Sequence, residues 1–309
     1  MSIQRVEFEA IPAAILDELE AAGLDAGKVY DAVELAVDED LPESAPGEMP
    51  PEDVTSVATI AADAYGVGVI ASREEGVVAG LGVTALVFAY VMGDLVTITD
   101  RVPDGTHVKP GDVVMRVAGP TRGLLTAERT ALNYASHLSG VATGAWRWVK
   151  ALEGTRTQVL DTRKTLPGLR DLQKYAVKCG GGINHRRSLT DLALIKDNHV
   201  AAAGGVVHAF EAVRIAFPDV PIDVEVDTIE DLKAVLDAGA TWVLLDNMSN
   251  EQLREAVAIN EGRAKLEASG GMTLERAREV AETGVDFISV GALTHSVKVF
   301  DLGFDLTEG

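Results

Sequence analysis

The 309-residue chain contains a single cysteine, Cys179, which excludes an internal disulfide and the cysteine spacing of a zinc site. Long apolar runs are also missing: the longest, Leu81–Met92, is shorter than the roughly 20 residues that span a bilayer. The N-terminal sequence has neither the basic start nor the apolar core of a signal peptide. These absences predict a cytoplasmic protein with no membrane partner, in which Cys179 has a packing role.

Positive charge is scarce as well. Lys and Arg number 27 against 48 Asp and Glu, so the formal net charge is −21, which argues against nucleic acid as a partner. Residues 120–196 are the exception, with 13 basic and 5 acidic side chains, several of them beside turn residues. Grouped like charges repel unless an anion balances them. The segment therefore predicts a site for a small polyanionic substrate, with a solvated basic surface as the alternative.

The first half of the chain predicts a small domain of helices and antiparallel strands. Apolar spacing indicates helix over 7–37, followed by a loop rich in proline and acidic residues over 41–53. Short β-branched runs broken by glycine predict strands at 67–71, 76–79, 84–90, 95–99, 107–108 and 113–117. A long helix or helix pair follows over about 124–152, with Gly140 and Gly144 as its weakest points.

The second half alternates between strand and helix patterns. Strands are predicted at 158–160, 192–195, 222–226, 242–245, 264–268 and 287–290, and helices at 169–178, 206–217, 229–238, 251–260 and 274–282. This alternation predicts a parallel sheet with crossover helices, and its spacing favours an α/β barrel over an open sheet. Neither a GxGxxG turn nor a GxxxxGK[ST] loop is present.

Charged, polar or glycine residues follow the carboxyl ends of the predicted parallel strands. They are Asp161, Arg163, Lys164, Lys196, Glu225, Asp246, Ser269, Gly270, Gly271, Ser289 and Gly291. In a barrel these ends meet at one mouth, where active sites of this architecture lie. Glu225 and Asp246 suit Mg²⁺ with substrate phosphate, sugar hydroxyls, or structural salt bridges to nearby lysines. The glycine turns suit phosphate, although a Gly-Gly pair is also an ordinary turn.

Several cations of the basic segment are suited to carboxylate binding. They are Arg129, Arg163, His185 and Arg186, whose guanidinium or imidazole groups are planar donors. His185 taken alone fits a structural role equally well. Arg187 is predicted to point elsewhere and to pair with surface acids.

A set of longer motifs resembles the carboxylating nicotinate-nucleotide pyrophosphorylases, or quinolinate phosphoribosyltransferases. The motifs are TAERTALN at 126–133, LSGVAT at 138–143, DTRKTLPGLR at 161–170, GGGINHR at 180–186, LIKDNH at 194–199, VEV at 224–226, LDN at 245–247, EASGG at 267–271 and SVGA at 289–292. The order of DTRKT, GGxxNHR and IKDNH is highly specific. The resemblance runs from about Asp53 to the C-terminus, and the first 50 residues depart from it.

The resemblance implies a fold and an assembly. It implies an N-terminal α/β sandwich domain over 1–125, against which the extreme C-terminus packs, and an incomplete TIM-like α/β barrel over 126–309. It also implies a homodimer or a hexamer made as a trimer of dimers, with active sites shared between subunits. Arg129 would then reach the site of the neighbouring subunit.

The reaction implied by the resemblance joins quinolinate to 5-phosphoribosyl 1-pyrophosphate, releasing pyrophosphate and CO₂ and giving nicotinate mononucleotide for NAD biosynthesis. Quinolinate would be held by Arg129, Arg163, His185, Arg186 and Lys196. The phosphoribosyl donor would be held by Lys164, Glu225, Asp246, Ser269, Gly270, Gly271 and Gly291. Lys164, Lys196, Glu225 and Asp246 would be catalytic, and Glu225 and Asp246 would lie near Mg²⁺, the expected cofactor.

Three other functions remain open from the sequence. A related phosphoribosyltransferase would act on nicotinate or another heterocyclic acid without decarboxylation, and would need fewer cations. A barrel without catalytic activity would bind phosphometabolites only. An aldolase would use Lys164 or Lys196 to form a Schiff base.

Overall fold

The computed structural model describes residues 4–42 and 51–308, so most of the predicted loop at 41–53 lies outside the described residues. The chain divides into two compact units. The N-terminal unit comprises Met1–Thr143, Asp171–Gly180 and Val297–Gly309, and the barrel unit comprises Gly144–Arg170 and Gly181–Ser296.

The elements of the first half are α1 (Ala13–Ala21), α2 (Ala26–Asp40), α3 (Val54–Thr59), β1 (Tyr65–Ser72), β2 (Gly76–Val77), α4 (Leu81–Met92), β3 (Thr97–Thr99), β4 (His107–Val108), β5 (Val113–Pro120) and α5 (Thr121–Ala151). Those of the second half are β6 (Gln158–Leu160), α6 (Arg170–Cys179), β7 (Ala193–Ile195), α7 (Asp197–Ala203), α8 (Val206–Ala216), β8 (Ile222–Val226), α9 (Ile229–Asp237), β9 (Trp242–Asp246), α10 (Asn250–Asn260), β10 (Lys265–Ser269), α11 (Leu274–Ala281), β11 (Phe287–Ser289), α12 (Ala292–His295) and β12 (Leu302–Glu308).

The N-terminal unit is built on an antiparallel sheet in the order β12-β1-β5-β3, which confirms the predicted small antiparallel sheet. Its strand β12 comes from the end of the chain and pairs with β1 over seven residues. Phe304 of β12 lies over Gly68 of β1, where a Cβ atom would come within 2.2 Å of the ring, and its ring stacks on Phe88. The glycine therefore makes room for the aromatic pair on this sheet.

The strand predicted at 84–90 is wrong, because these residues lie within helix α4. Each residue of α4 is buried, so the helix is apolar on all sides and shows no 3.6-residue periodicity by which a sequence pattern could identify it. Asp104 caps its start: its carboxylate accepts hydrogen bonds from the backbone N–H groups of Gly80 and Leu81 at 2.8 and 3.0 Å.

Helix α5 is one continuous helix through both glycines that the sequence marks as weak points. At Gly140 a Cβ atom would lie 2.4 Å from the backbone oxygen of Lys298, so the glycine allows the C-terminal segment to approach the helix backbone. The hydroxyls of Ser139 and Thr143 accept hydrogen bonds from the backbone N–H groups of Ala79 and Val77 at 3.0 and 2.9 Å. This contact explains two polar positions of the LSGVAT motif.

The barrel unit holds six parallel strands in the order β6-β11-β10-β9-β8-β7, which confirms the predicted α/β barrel with parallel strands. No pairing between β7 and β6 closes the sheet in the part of the chain that is described, so the barrel is incomplete. Helix α7 was not predicted; it begins directly after β7, within the LIKDNH motif. The crossover connections bring the carboxyl ends of the strands to one edge of the sheet.

Candidate active site

The strand register sorts the inner-face residues of the barrel into layers. Glu225 of β8 and Glu267 of β10 both lie opposite Leu244 of β9. Two residues further along these strands, toward the mouth, Asp246 lies opposite Ser269. Since side chains two residues apart share a face, the carboxylates at 225 and 246 are on the same side of the sheet.

Lys196 and Glu225 form an ion pair at this mouth. The Lys196 Nζ atom lies 3.2 Å from Glu225 Oε2, and the side chains are 46% and 14% exposed. Lys196 directly precedes α7, and its backbone N–H donates to His199 Nδ1 at 2.9 Å. The start of α7 therefore sets the direction of the lysine. The salt bridge that the sequence left as one alternative for Glu225 is present.

Two arginines of the mouth, Arg163 and Arg186, are held close enough to repel each other. Burial lowers the pKa of Arg186, and the positive charge of Arg163 lowers it further. The negative charges of Asp223 and Asp191 raise this pKa, but by less. The Nε atom of Arg163 is buried and has no hydrogen-bond partner among the described residues. A buried donor without a partner is costly, so Arg163 is suited to an anion that supplies the missing oxygen.

The side chain of Lys164 packs over Gly291, which is on the loop that follows β11. A Cβ atom at Gly291 would come within 2.8 Å of Lys164 Cδ and 3.2 Å of His295 Nε2. The Thr294 hydroxyl donates to the backbone oxygen of Lys164 at 2.6 Å and joins the two loops. His295 was missed from the sequence, although its position four residues after Gly291, one helical turn away, was a usable signal.

The turn at 269–271 requires its glycines. Gly270 has φ +88°, and a Cβ atom there would lie 2.2 Å from Asn247 Oδ1 and 2.9 Å from Asn247 N. Gly271 has φ +55° and would meet no atom within 4 Å. Nearby on the next strand, the Ser289 hydroxyl is buried without a partner among the described residues. A glycine turn with no atom within 4 Å of a Cβ at Gly271, beside this unpartnered hydroxyl, suits phosphate.

His185 lies beneath this mouth, inside the barrel. Its Nε2 atom is 3.2 Å from Asp223 Oδ2 and 3.3 Å from Glu267 Oε2, and its Nδ1 accepts the backbone N–H of Arg186 at 2.8 Å. All three side chains of the trio are buried. Burial lowers the pKa of His185, but its hydrogen bonds to Asp223 and Glu267 and their negative charges outweigh burial and raise it.

The remaining predicted residues have simpler surroundings. Asp161 is buried, and its carboxylate accepts hydrogen bonds from Asn184 Nδ2 and the His185 N–H at 2.7 and 2.9 Å. It therefore holds the loop of the GGGINHR motif. Arg129 belongs to the N-terminal unit, where it is exposed on α5 with Glu128 at 3.9 Å.

The surroundings of Glu225 and Asp246 bear on whether these carboxylates could hold Mg²⁺. One oxygen of each is engaged, Glu225 Oε2 with Lys196 and Asp246 Oδ2 with the Asn247 amide at 2.7 Å. The remaining oxygens lie on one face of the sheet. Mg²⁺ commonly takes one or two protein carboxylates and completes its shell with water and substrate phosphate, so the pair fits such an ion.

The described residues include no helix that is both long and apolar enough to cross a membrane.

Two family descriptions match the chain. The C-terminal domain of quinolinate phosphoribosyl transferase matches residues 141–305, and the N-terminal domain of the same family matches residues 53–139. Together they cover most of the chain.

Individual proteins resemble the chain over most of their length. The carboxylating nicotinate-nucleotide pyrophosphorylase of Mycobacterium leprae is 51% identical over 258 residues, covering 82% of this chain and 91% of that protein. The chloroplastic enzyme of that name from Arabidopsis thaliana is 35% identical, covering 97% and 93%. The solved structure of the nicotinate-nucleotide pyrophosphorylase of Francisella tularensis superposes with a TM-score of 0.85 at 36% identity, covering 91% of this chain and 96% of that one.

Proposed function

Because the chain belongs to the quinolinate phosphoribosyl transferase family, we propose that the cationic mouth of its barrel is where the family's reaction takes place. The enzyme transfers the phosphoribosyl group of 5-phosphoribosyl 1-pyrophosphate to quinolinate with decarboxylation, giving nicotinate mononucleotide for NAD biosynthesis. The observation that carries the assignment to this mouth is the pair Arg163 and Arg186. They are cations held together, with a buried donor of Arg163 left without a partner among the described residues.

Quinolinate carries two carboxylates on neighbouring ring carbons, and Arg163, Arg186 and Lys196 supply charge for both. Guanidinium groups match carboxylates through paired hydrogen bonds, so they also fix the plane of the ring. That plane decides whether the ring nitrogen points at the ribose. Positioning of this kind supplies a large part of the barrier reduction in a reaction between two bound molecules.

The phosphoribosyl donor is assigned to the other groups at the mouth. Ser269, Gly270, Gly271 and Gly291 would border the 5-phosphate, and Lys164, whose side chain lies beside Gly291, would face the pyrophosphate. Loss of pyrophosphate leaves positive charge on the ribose ring, which the carboxylates of Glu225 and Asp246 stabilise electrostatically. Both carboxylates are present before the reaction, so no reorganisation is needed when the charge develops.

The bonds change in two stages. The ring nitrogen of quinolinate forms a bond to the ribose carbon as the bond to pyrophosphate breaks. The nitrogen becomes cationic, and the neighbouring carboxylate then leaves as CO₂, with its bonding electrons remaining on the ring carbon. That carbon takes up a proton and nicotinate mononucleotide results.

Mg²⁺ would be held by Glu225 and Asp246 together with oxygens of the donor. When bound, it would supply positive charge to the departing pyrophosphate. The residues of the chain still have to orient the donor. The ion pair of Lys196 with Glu225 also has to leave one oxygen of Glu225 available to the ion.

The test of the function is release of labelled CO₂ from carboxyl-labelled quinolinate by purified protein with the phosphoribosyl donor and Mg²⁺. We expect release that requires all three, and no nucleotide when nicotinate replaces quinolinate. Arg187→Ala is the matched control for Arg186→Ala, because Arg187 is exposed beside it. Nucleotide formation from nicotinate without CO₂ from quinolinate would support the related phosphoribosyltransferase and reject this function.

The assembly is proposed to be a homodimer or a trimer of dimers in the cytoplasm, with Arg129 completing the partner's site. Arg129 is exposed in a single chain, and the Glu128 carboxylate lies 3.9 Å from its guanidinium, which supports this proposal. Arg129→Ala and Arg163→Ala should each be inactive. When the two variants are unfolded and refolded together, mixed dimers contain one intact site, and about a quarter of wild-type activity should return. No recovery in mixtures would show that Arg129 acts within its own chain.

A further inference from the structure

His185, which the family resemblance makes a quinolinate ligand, lies in a buried trio with Asp223 and Glu267, and neither carboxylate has a role in the reaction as described so far. The three residues come from different parts of the barrel: the segment between α6 and β7, the second position of β8 and the middle of β10. Asp223 and Glu267 have no measurable exposure, and His185 is 8% exposed. Trp242 closes the group from β9, since its Nε1 donates to Glu267 Oε2 at 3.0 Å and its ring meets the imidazole edge-on.

The trio is an expensive arrangement for a protein interior. Asp223 Oδ1 and Glu267 Oε1 are buried without hydrogen-bond partners among the described residues. Two carboxylates around one imidazole leave negative charge in a place with little water, where apolar side chains of similar volume often give equal or greater stability. Stability alone therefore does not account for these carboxylates.

The hydrogen bonds determine which nitrogen of His185 carries the proton. The N–H of Arg186 points at Nδ1, so Nδ1 is an acceptor and the hydrogen lies on Nε2, facing the two carboxylates. A metal ion on Nε2 would require the hydrogen on Nδ1, which the Arg186 N–H opposes. The same contact opposes a second proton on the ring. The charges of Asp223 and Glu267 favour that second proton, but its place on the ring is Nδ1, at which the Arg186 N–H already points, so the ring is assigned as neutral.

We propose that Asp223 and Glu267 are positioning residues for quinolinate binding: they hold His185 in the tautomer whose Nδ1 anchors the backbone of Arg186. The anchored backbone sets the origin of the Arg186 side chain, whose Nη1 donates to the Leu192 oxygen at 3.2 Å. The Arg186 side chain is thus held at its backbone and at its Nη1 atom before substrate binds. This inference rests on the proposed function of Arg186 as a quinolinate ligand.

Conservative and apolar variants separate this role from a structural one. Glu267→Gln keeps an oxygen that accepts from His185 Nε2 and Trp242, whereas Glu267→Met removes the acceptor at similar size. We expect Glu267→Met to raise the KM for quinolinate about tenfold, with the KM for the phosphoribosyl donor changed less than about twofold. Glu267→Gln should restore the KM for quinolinate to within about threefold of wild type. Asp223→Leu and Asp223→Asn form the second such pair.

Nuclear magnetic resonance of ¹⁵N-labelled histidine gives a readout that does not depend on turnover. In wild type, the His185 signals should show an unprotonated Nδ1 and a protonated Nε2, with the signals assigned by their loss in His185→Phe. In Glu267→Met we expect the two tautomers to mix. Val235→Ala, on the buried side of α9, is the control for general destabilisation and should change neither the tautomer nor the KM for quinolinate.

Two results would overturn the inference: a protonated Nδ1 in wild type, or equal rises of both KM values in Glu267→Met. A tautomer shift in Glu267→Met without any change in the KM for quinolinate would overturn it as well. If wild-type protein releases no CO₂, the proposed function fails. Calorimetric titration of quinolinate into the same variants then still decides whether the trio controls binding at Arg186.

Discussion

The two ends of the barrel both carry arginine and lysine, yet they differ in what those cations contact. At the amino ends of the strands, Arg156, Arg263, Lys265 and Asp286 border a cavity of about 480 Å³. Each cation there has a partner from the protein: Arg156 Nε donates to the Gly284 oxygen at 3.1 Å, Arg263 pairs with Asp237, and Lys265 pairs with Asp286. At the carboxyl ends, Arg163 and Arg186 lie close enough to repel each other. Arg186 has the Leu192 oxygen as a partner, but Arg163 Nε is buried without one among the described residues.

The difference shows that positive charge alone does not mark a site in this protein. A cation with its hydrogen bonds satisfied internally has little to gain from a ligand, and exposed pairs of this kind contribute little to stability. A buried donor left without a partner, as at Arg163, gains fully from an incoming carboxylate. We therefore propose no ligand for the cavity at the amino ends, although its volume is sufficient for a small molecule.

The largest contrast should come from removing one arginine at each end. Arg163→Ala should lower kcat/KM for quinolinate roughly 10³-fold, or about 4 kcal/mol, because a bound carboxylate loses its charged partner. Arg263→Ala should leave kcat/KM within about twofold of wild type. Steady-state kinetics on both variants measures this, and similar losses at the two ends would break the comparison.

The buried trio and the exposed ion pairs also differ in how their contribution to stability depends on pH. The pKa of Asp223 is raised to about 6 from an ordinary 3.8, chiefly by burial and further by the negative charge of Glu267, against His185 and Arg186. A raised pKa means that this group's contribution to stability is fully present below pH 3.8 and is lost as pH rises through 6. We expect a loss of roughly 3 kcal/mol between those values.

Urea unfolding at a series of pH values measures this loss. The Asp223→Asn variant should lack the decline between pH 3.8 and 6, because an amide binds no proton in this range. An equally steep decline in that variant would show that other groups cause it.

Glycine substitutions at the two ends of the barrel should give a smaller contrast. Gly270 at the mouth and Gly262 at the other end both have positive φ, +88° and +78°, but only Gly270 has neighbours within reach of a Cβ atom. Gly270→Ala should cost about 2 kcal/mol of stability and raise the KM of the phosphoribosyl donor. Gly262→Ala should cost about 1 kcal/mol and leave that KM unchanged, which thermal unfolding and kinetics can check.

Much of the barrel follows from local patterns. Its strands lie within one or two residues of their predicted positions, because each is a short buried run with polar residues at its end. The same rule failed at α4, where a fully buried helix has no polar face. The end strand β12 was also missed, although Leu302, Phe304 and Leu306 alternate with more polar positions as strands do.

The trio could not be predicted, for a different reason. Asp223 and Glu267 lie inside strands where a sequence pattern favours apolar residues, and their contact with His185 joins positions 38 and 82 residues apart along the chain. Only the register of the strands brings them together. The residues at the strand ends were predictable because the architecture itself places them at one mouth.

Calorimetric titration of quinolinate, and separately of nicotinate, into the wild-type enzyme and Arg163→Ala tests the central claim most directly. The account predicts that quinolinate binds wild type at least about tenfold more tightly than nicotinate does, since the second carboxylate meets its own cations. The preference should disappear in Arg163→Ala. Equal affinities for the two acids in wild type, or a preference that survives the substitution, would contradict it.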